Sequence, residues 1–337
     1  MSRGVLLVNL GTPDSPSTRD VRRYLDEFLS DARVLDISAP MRTLLVKGVI
    51  VPFRGPRSAA MYTRIWGDGG SPLLRYGAAL ADRLQATLGG EFVVELAMRY
   101  GKPDIPGALE RLYAHRLSSL VVVPLFPQYA SATTGSVHQR VMECVGKWQT
   151  IPALRLVSQF HDHPGVIRAY AANGRAETPA SFDHVLFSFH GVPERQLLKA
   201  DASGRHCLRS ADCCAVLSAD NRLCYRAQCF HMSALIAAEL GIGGGQYTVS
   251  FQSRLGRQPW TRPYTAEVIA EIARKGMRRL LVFCPSFVAD CLETLYEIAV
   301  ENAHDFAEAG GETLRLVESL NVHPSWVEAL AQIVTKA

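Results

Sequence analysis

Residues 185–194, VLFSFHGVPE, decide how the rest of the chain is read. Val185 to Phe189 is apolar and β-prone, and Gly191, Val192 and Pro193 interrupt it at once. A short apolar run bounded by turn residues predicts a buried parallel strand with His190 at its carboxyl end. In open α/β sheets, ligands bind beyond that end of the strands. An imidazole held there by rigid backbone accepts a proton near neutral pH or ligates a metal. The plain alternative is a histidine merely satisfied at a strand end.

Another apolar strand, Leu280 to Cys284, is stopped by Pro285 and Ser286, and the segment after it, FVADCLETLYE at 287–297, opens a helix. Asp290, Glu293 and Glu297 are spaced three and four apart, which predicts one helical face carrying either a carboxylate site or a solvated stripe. A third stretch, YTVSFQSRLGRQPW at 247–260, is again a strand followed by a polar turn and an aromatic residue.

Further strands are expected at Val5 to Asn9, Phe92 to Met98, Leu120 to Pro124 and Thr313 to Val317. Helical patterns run over Thr18 to Leu29, Leu73 to Leu88, Ile105 to His115, Thr134 to Trp148, His231 to Leu240, Tyr264 to Lys275 and Cys291 to Ala309. Strands alternating with helices predict an α/β protein with parallel sheets. The strands fall into two sets of three or four, before and after about residue 165. Two similar doubly wound halves facing a central cleft are therefore expected, 1–163 and 164–320, followed by a C-terminal segment, 321–337. The join falls near QFHDHPG at 159–165.

The 337 residues, 48% hydrophobic and 8% aromatic with a mean hydropathy of +0.05, describe a globular chain large enough for two cores. A net charge of +4 with no block of consecutive Lys or Arg does not point to nucleic acid. MSRGVLLVNLGTP at the N-terminus reads as a first strand and not as a secretory signal, and no apolar run approaches the roughly 20 residues of a membrane span. A cytoplasmic location follows, in which the eight cysteines are reduced thiols or metal ligands. DISAPMRTLLVKGVIVPFRGPR at 36–57 fits neither a sheet nor an ordinary core helix. It mixes apolar residues with Arg42, Lys47, Arg54 and Arg57 and is expected to be broken by Pro40, Pro52 and Pro56; a buried amphipathic helix with a loop is the plain account.

LFSFHGVPER, SFQSRLGRQPW and FVADCLETLYE together resemble segments of the ferrochelatase family. So do NLGTPDSP from Asn9 to Pro16, MRYGKP from Met98 to Pro103 and PLFPQYASATTGS from Pro124 to Ser136, in matching order across nearly the whole chain. The resemblance implies two Rossmann-like, chelatase-like halves, with a C-terminal helix, Pro324 to Lys336, returning to the first. It implies a lyase that inserts Fe2+ into protoporphyrin IX as the last step of haem biosynthesis. Coproporphyrin III is the rival substrate, and cobalt insertion into a precorrin-like ring is a further rival. An iron–sulfur redox sensor on a chelatase scaffold is the alternative of another class. The family's apolar lip over the active site corresponds to 36–57, and an apolar face flanked by cations suits peripheral membrane contact.

Metal insertion requires two pyrrole protons to leave, one face of the ring to be exposed by distortion, and a partly desolvated metal to be delivered. By resemblance, His190 is proton acceptor, iron ligand or both, and Glu293 faces it, contributing to iron coordination and proton traffic. Asp290 and Glu297 continue a polar path. Mixed imidazole and carboxylate ligation suits iron that must also be released. Leu10, where animal enzymes have methionine, presses on the ring. Arg99 and Tyr100 line the pocket, Arg99 with a bidentate grip on a propionate. Tyr129, Trp260 and Phe287 complete the wall. Cys291 stands where animal enzymes carry histidine, as in the bacterial branch, and puts in doubt any relay through a second imidazole.

Between Ala200 and Cys229 lie five of the eight cysteines, 207, 213, 214, 224 and 229. In a reduced compartment such clustering argues for a metal before a disulfide, although the two CxxC knuckles of common zinc ribbons are absent. This insertion resembles that of bacterial ferrochelatases holding a 2Fe-2S cluster inside the chain, which needs four thiolates. The candidates are Cys207, Cys224 and Cys229 with Cys214 or, alternatively, Cys213. Zinc and a metal-free loop are the other readings, and bracing and redox sensing are both open as its role.

Overall fold

The computed structural model describes residues 2–256 and 258–336. The chain forms two compact units, one holding the residues up to Phe126, Ala130–Gln159 and the residues from Val327 onwards, the other Pro127–Tyr129 and Phe160–Trp326. The chain therefore enters the second unit briefly at 127–129 and passes into it again after Gln159.

The first unit is built on a parallel sheet of β1 (Arg3–Gly11), β2 (Phe92–Tyr100), β3 (Ser119–Pro124) and β4 (Ala153–Leu156), in the order β2-β1-β3-β4. Val5 to Val8 have no exposure, because β1 is covered on both faces and paired on both edges. That explains a near-continuous apolar run instead of an alternating one. Leu6, Val8 and Val122 pack against Leu109 and Leu112 of helix Ile105–Ala114 and Val141 of helix Ser136–Val145. Asp104 starts the first of these helices by accepting the Gly107 N–H at 2.9 Å.

The second unit repeats this plan. β5 (His184–His190), β6 (Tyr247–Gln252), β7 (Arg279–Phe283) and β8 (Thr313–Leu316) form a parallel sheet in the order β6-β5-β7-β8. Leu186 and Val282 pack on Ile269 and Ile272 of helix Thr265–Arg274 and on Phe306. In each sheet the first strand lies between the second and the third, so successive connections leave it in opposite directions. The carboxyl ends of β1 and β5 are thus topological switch points, where ligands of open α/β sheets bind. Leu10 lies at one and His190 at the other.

Several expectations need correction. Residues 39–65 are not broken by their prolines. Helix Ala39–Leu45 continues through a π-helical turn, Val46–Ile50, into helix Val51–Ile65. Pro40 lies in the first turn, where an N–H is not needed, and Pro52 follows directly on the π-helical turn. Pro56 does lie inside the helix, and the Pro52 carbonyl that it leaves without an amide donor receives Arg22 Nη2 at 3.1 Å. Strand β4 and helix Pro164–Ala176 were not expected. The helix assigned to 231–240 starts earlier, at Tyr225, inside the cysteine-rich segment. After β7 the chain is π-helical over Glu293–Asn302 before the short α-helix Ala303–Glu308.

Candidate active site and cysteine-rich loop

His190 is the last residue of β5, in register with Gln252 of β6, and the Gly191 N–H donates to the Gln252 carbonyl at 2.8 Å. Its Nδ1 lies 2.7 Å from the Gly191 carbonyl oxygen. A carbonyl only accepts, so Nδ1 carries the hydrogen and the neutral ring keeps its lone pair on Nε2. The rings of Trp260 and Phe287 both present edges to the imidazole, with centroids 6.4 Å away. Trp260 is fixed by its Nε1–H to the Leu255 carbonyl (3.0 Å), and its loop is clasped to the His190 turn by Thr261 Oγ1 donating to the Val192 carbonyl (2.7 Å). Gly191 suits this closeness, since a Cβ there would lie 3.2 Å from the Gln252 carbonyl oxygen and 3.4 Å from the Trp260 ring, and these neighbours would have to give by a few tenths of an ångström.

Glu293 and Glu297 lie on the π-helix, a rare element that recurs at functional sites. Gln252 Nε2 donates to the Glu293 carbonyl at 3.0 Å and approaches Glu297 Oε2 at 3.4 Å, and the Ser253 hydroxyl donates to the same carboxylate oxygen. Asp290 does not share their helical face. It precedes the helix, is 3% exposed, and its carboxylate accepts from Asn321 Nδ2 (2.8 Å), the Thr294 hydroxyl (3.0 Å) and the Ser319 N–H (3.4 Å). Asn321 Oδ1 returns a bond by accepting the Asp290 N–H at 2.9 Å. Asp290 therefore pins the start of the Glu293 helix to the loop after β8. The neighbouring Cys291 thiol is pushed well above the usual thiol range by burial and by Glu293, which keeps it protonated at neutral pH.

In the first unit, Leu10 and the pair Arg99–Tyr100 end β1 and β2. Asp31, which no motif singled out, organises them. Its Oδ2 accepts from Arg99 Nη2 (2.6 Å), the Tyr100 hydroxyl (2.8 Å) and the Ser136 hydroxyl (2.6 Å), and its Oδ1 accepts the Arg33 N–H (2.7 Å). Burial alone would raise this carboxyl, but Ser136, the Arg33 amide, Tyr100 and Arg99 together hold it below the usual carboxylate range. Tyr100 is driven far above the ordinary phenol range by burial and by Asp31. Arg99 also gives its Nε–H to Ser136 at 2.7 Å, so two of its donors point inward rather than forming the fork expected to grip a propionate. Tyr129 belongs to the second unit, its N–H held by Gln228 Oε1 at 2.7 Å.

The five clustered cysteines are all buried. Cys213 and Cys214 sulfurs lie 3.7 Å apart. Two thiolates on one tetrahedral metal with bonds of about 2.3 Å would lie about 3.8 Å apart, so that pair has the right separation. Asp201 orders the loop by accepting the His206 and Cys207 N–H groups at 2.9 Å, and Asn221 Nδ2 donates to the Cys213 and Val216 carbonyls. Burial raises the Cys207, Cys213 and Cys229 thiols, and the Cys224 contact raises Cys214. A metal here must displace protons. Among the described residues no three His, Cys, Asp or Glu side chains are gathered closely enough to hold one ion. The clustered donors are all sulfur, the ligand type of iron–sulfur clusters and of zinc.

The model of the family described as ferrochelatase matches residues 2–337. This chain belongs to the ferrochelatase family. A ferrochelatase of Coxiella burnetii (strain Dugway 5J108-111) is 45% identical over 338 aligned positions, covering 99% of this chain and 93% of that protein. A ferrochelatase of Legionella pneumophila (strain Lens) is 44% identical over 336, covering 100% and 99%. Membership makes the chain a chelatase of haem biosynthesis, with a porphyrin and iron as substrates. Among solved structures, SirB from Bacillus subtilis with Fe3+ aligns with a TM-score of 0.57 at 12% identity, covering 100% of this chain and 95% of that one. CbiX, described as the terminal enzyme of sirohaem biosynthesis in denitrifying bacteria, aligns with a TM-score of 0.50 at 16% identity and 99% coverage of both. At such identities these two speak for the α/β fold alone, which matches the doubly wound architecture expected from the strand and helix rhythm.

Proposed function

We propose that this ferrochelatase inserts Fe2+ into protoporphyrin IX to form protohaem, a lyase reaction, with His190 receiving the pyrrole protons. The observation that carries this reading is the imidazole at the switch point of the second sheet. Its Nδ1–H is committed to the Gly191 carbonyl (2.7 Å), so the lone pair of the neutral ring is on Nε2. Trp260 and Phe287 beside it supply flat apolar surface for a macrocycle. A pocket that binds a bent ring better than a flat one lowers the barrier to metallation. Glu293 and Glu297, on one helix and steadied by Gln252 and Ser253, are suited to take partly hydrated iron and pass it on. Arg99 and Tyr100, locked by Asp31, are proposed as porphyrin contacts of the first unit together with Leu10; Tyr129 is proposed as a contact of the second.

The loop thiols are proposed to hold a 2Fe-2S cluster. Cys207, Cys224 and Cys229, all buried, are the first three ligands, and Cys214 or, alternatively, Cys213 supplies the fourth thiolate. When bound, such a cluster supplies bracing or a redox-sensitive element. Residues 39–65 are proposed to rest on the inner face of the cytoplasmic membrane. Met41, Leu44, Val49 and Phe53 are 57%, 68%, 50% and 79% exposed, beside Arg54 and Lys47. Burying four such side chains in an interface is worth several kcal/mol, of order 1.5–3 each. Among the described residues no helix is long and apolar enough to cross a membrane. The substrate assignment is tested by anaerobic Fe2+ insertion, followed by loss of porphyrin fluorescence, with protoporphyrin IX and coproporphyrin III side by side. Faster turnover of protoporphyrin is expected; faster coproporphyrin moves the enzyme to the other branch, and silence with both favours an iron–sulfur sensor.

A further inference from the structure

The peptide groups of His190 are enclosed by hydrogen bonds from outside its own strand. The His190 N–H donates to Ser286 Oγ at 3.2 Å, the Tyr225 hydroxyl donates to the His190 carbonyl at 2.7 Å, and the two hydroxyl oxygens are 3.0 Å apart. Valence fixes every direction. A carbonyl only accepts and an amide N–H only donates, so the Tyr225 proton is committed to His190 and Ser286 must donate to Tyr225. The three residues form a closed ring in which each gives one hydrogen bond and takes one. Tyr225 and Ser286 are 7% and 9% exposed, so solvent does not readily replace a lost partner.

The ring joins the end of β5, the loop after β7 and the first residue of helix Tyr225–Leu240. That helix issues directly from the cysteine-rich loop. Cys224 is its N-cap, and Cys229, one turn along and fully buried, lies on the same helix. The peptide between His190 and Gly191 is thus held at both ends, its oxygen by Tyr225 and its N–H by the Gln252 carbonyl. The next carbonyl, that of Gly191, holds His190 Nδ1. Any rotation of this peptide moves the acceptor that sets the tautomer and direction of the imidazole.

We propose that Tyr225 is a positioning residue for His190, and that through it the order of the cysteine-rich loop is passed to the metallation site. This rests on the reading of His190 as the group that meets the porphyrin. Tyr225 itself contacts neither porphyrin nor iron; it acts by holding the backbone on which the imidazole stands. A loop that loses its order lets the start of the helix move, and the hydroxyl moves with it.

The test uses the full-length protein and four variants, Tyr225→Phe, Ser286→Ala, the double variant, and Cys224→Ser, with His190→Ala as control. Tyr225→Phe keeps the ring packing and removes one hydroxyl. Its kcat is expected to fall about tenfold, since misplacing a reacting group by an ångström costs up to about a hundredfold, while KM for the porphyrin stays within about twofold. The ring is broken by either change, so the double variant is expected to be no slower than the slower single one. Hydrogen exchange of the 185–192 segment is expected to quicken in Tyr225→Phe and in Cys224→Ser, a readout independent of turnover. Wild-type kcat and exchange in Tyr225→Phe, or multiplicative losses in the double variant, overturn the positioning role. Unchanged exchange in Cys224→Ser overturns the link to the loop. If His190→Ala still metallates, the underlying reading of His190 fails instead.

Discussion

Asp31 offers the sharpest energetic prediction, because one carboxylate gathers four donors. Its side chain is 10% exposed and that of Arg99 18%, so Asp31→Ala leaves a mostly buried guanidinium without its counter-charge. Removing one member of a buried pair costs roughly 3–5 kcal/mol, and the partial hydration open to Arg99 favours the lower end, about 3. The Tyr100 hydroxyl, in a side chain with no exposure, loses its acceptor as well, for about 1 kcal/mol more. The expected loss is about 4 kcal/mol, or a fall in Tm of roughly 8–16 °C for a unit of this size. Asp31→Asn keeps the shape and one acceptor but not the charge, and about half that loss is expected. The assay is thermal unfolding at pH 7 with urea titration as a second measure, repeated at pH 3. Asp31 is depressed below its ordinary 3.8 in the folded protein. The wild-type advantage over Asp31→Asn is therefore present above about pH 3.8 and declines as the pH falls through the lower folded value. A Tm change under 2 °C for Asp31→Ala at pH 7, or a gap for Asp31→Asn that does not narrow in acid, would refute the reasoning.

Asn321→Ala removes two of the three bonds that tie Asp290 to the loop after β8, and a stability loss of about 2 kcal/mol in urea titration is expected, with lower kcat from a looser Glu293 helix; unchanged stability would show that the contact is idle. Anaerobically purified protein is expected to show iron–sulfur charge-transfer absorbance that Cys224→Ser loses, whereas a colourless preparation holding zinc contradicts the cluster. Phe53→Ser combined with Leu44→Ser is expected to weaken co-sedimentation with anionic liposomes at least tenfold without changing turnover of detergent-solubilised porphyrin. Equal sedimentation of wild type and variant would remove residues 39–65 from membrane contact.

Much of the scaffold was legible because its residues carry local patterns. Val5 to Val8 is an uninterrupted apolar run and Val185 to Phe189 is broken only by Ser188; both are ended by turn residues and proved to be central strands whose carboxyl ends are switch points. Strand β4 escaped because it is a four-residue edge strand without full burial on either face. The continuous helix over 39–65 escaped because prolines count as breakers in a sequence, whereas a π-helical turn and the Arg22 guanidinium accommodate them here. At the candidate site, His190, Glu293, Trp260 and Phe287 stand in recognisable motifs. Asp31, Asn321 and Tyr225 do not, and Ser136 ends a motif that assigned it no role. Their partners lie tens of residues away in the chain, as with Asp31 and Ser136 at a separation of 105 or Tyr225 and His190 at 35. No local periodicity encodes such contacts. Asp290 illustrates the converse, since its spacing from Glu293 suggested a shared face that the late helix start and its bonds to Asn321 deny.

The most direct test of the account is anaerobic Fe2+ insertion into protoporphyrin IX by wild-type protein and His190→Ala together, with the fold of the variant checked by thermal unfolding. The account predicts turnover by the wild type and none above background by a variant that unfolds like it. A folded His190→Ala protein that metallates the porphyrin at the wild-type rate would contradict it.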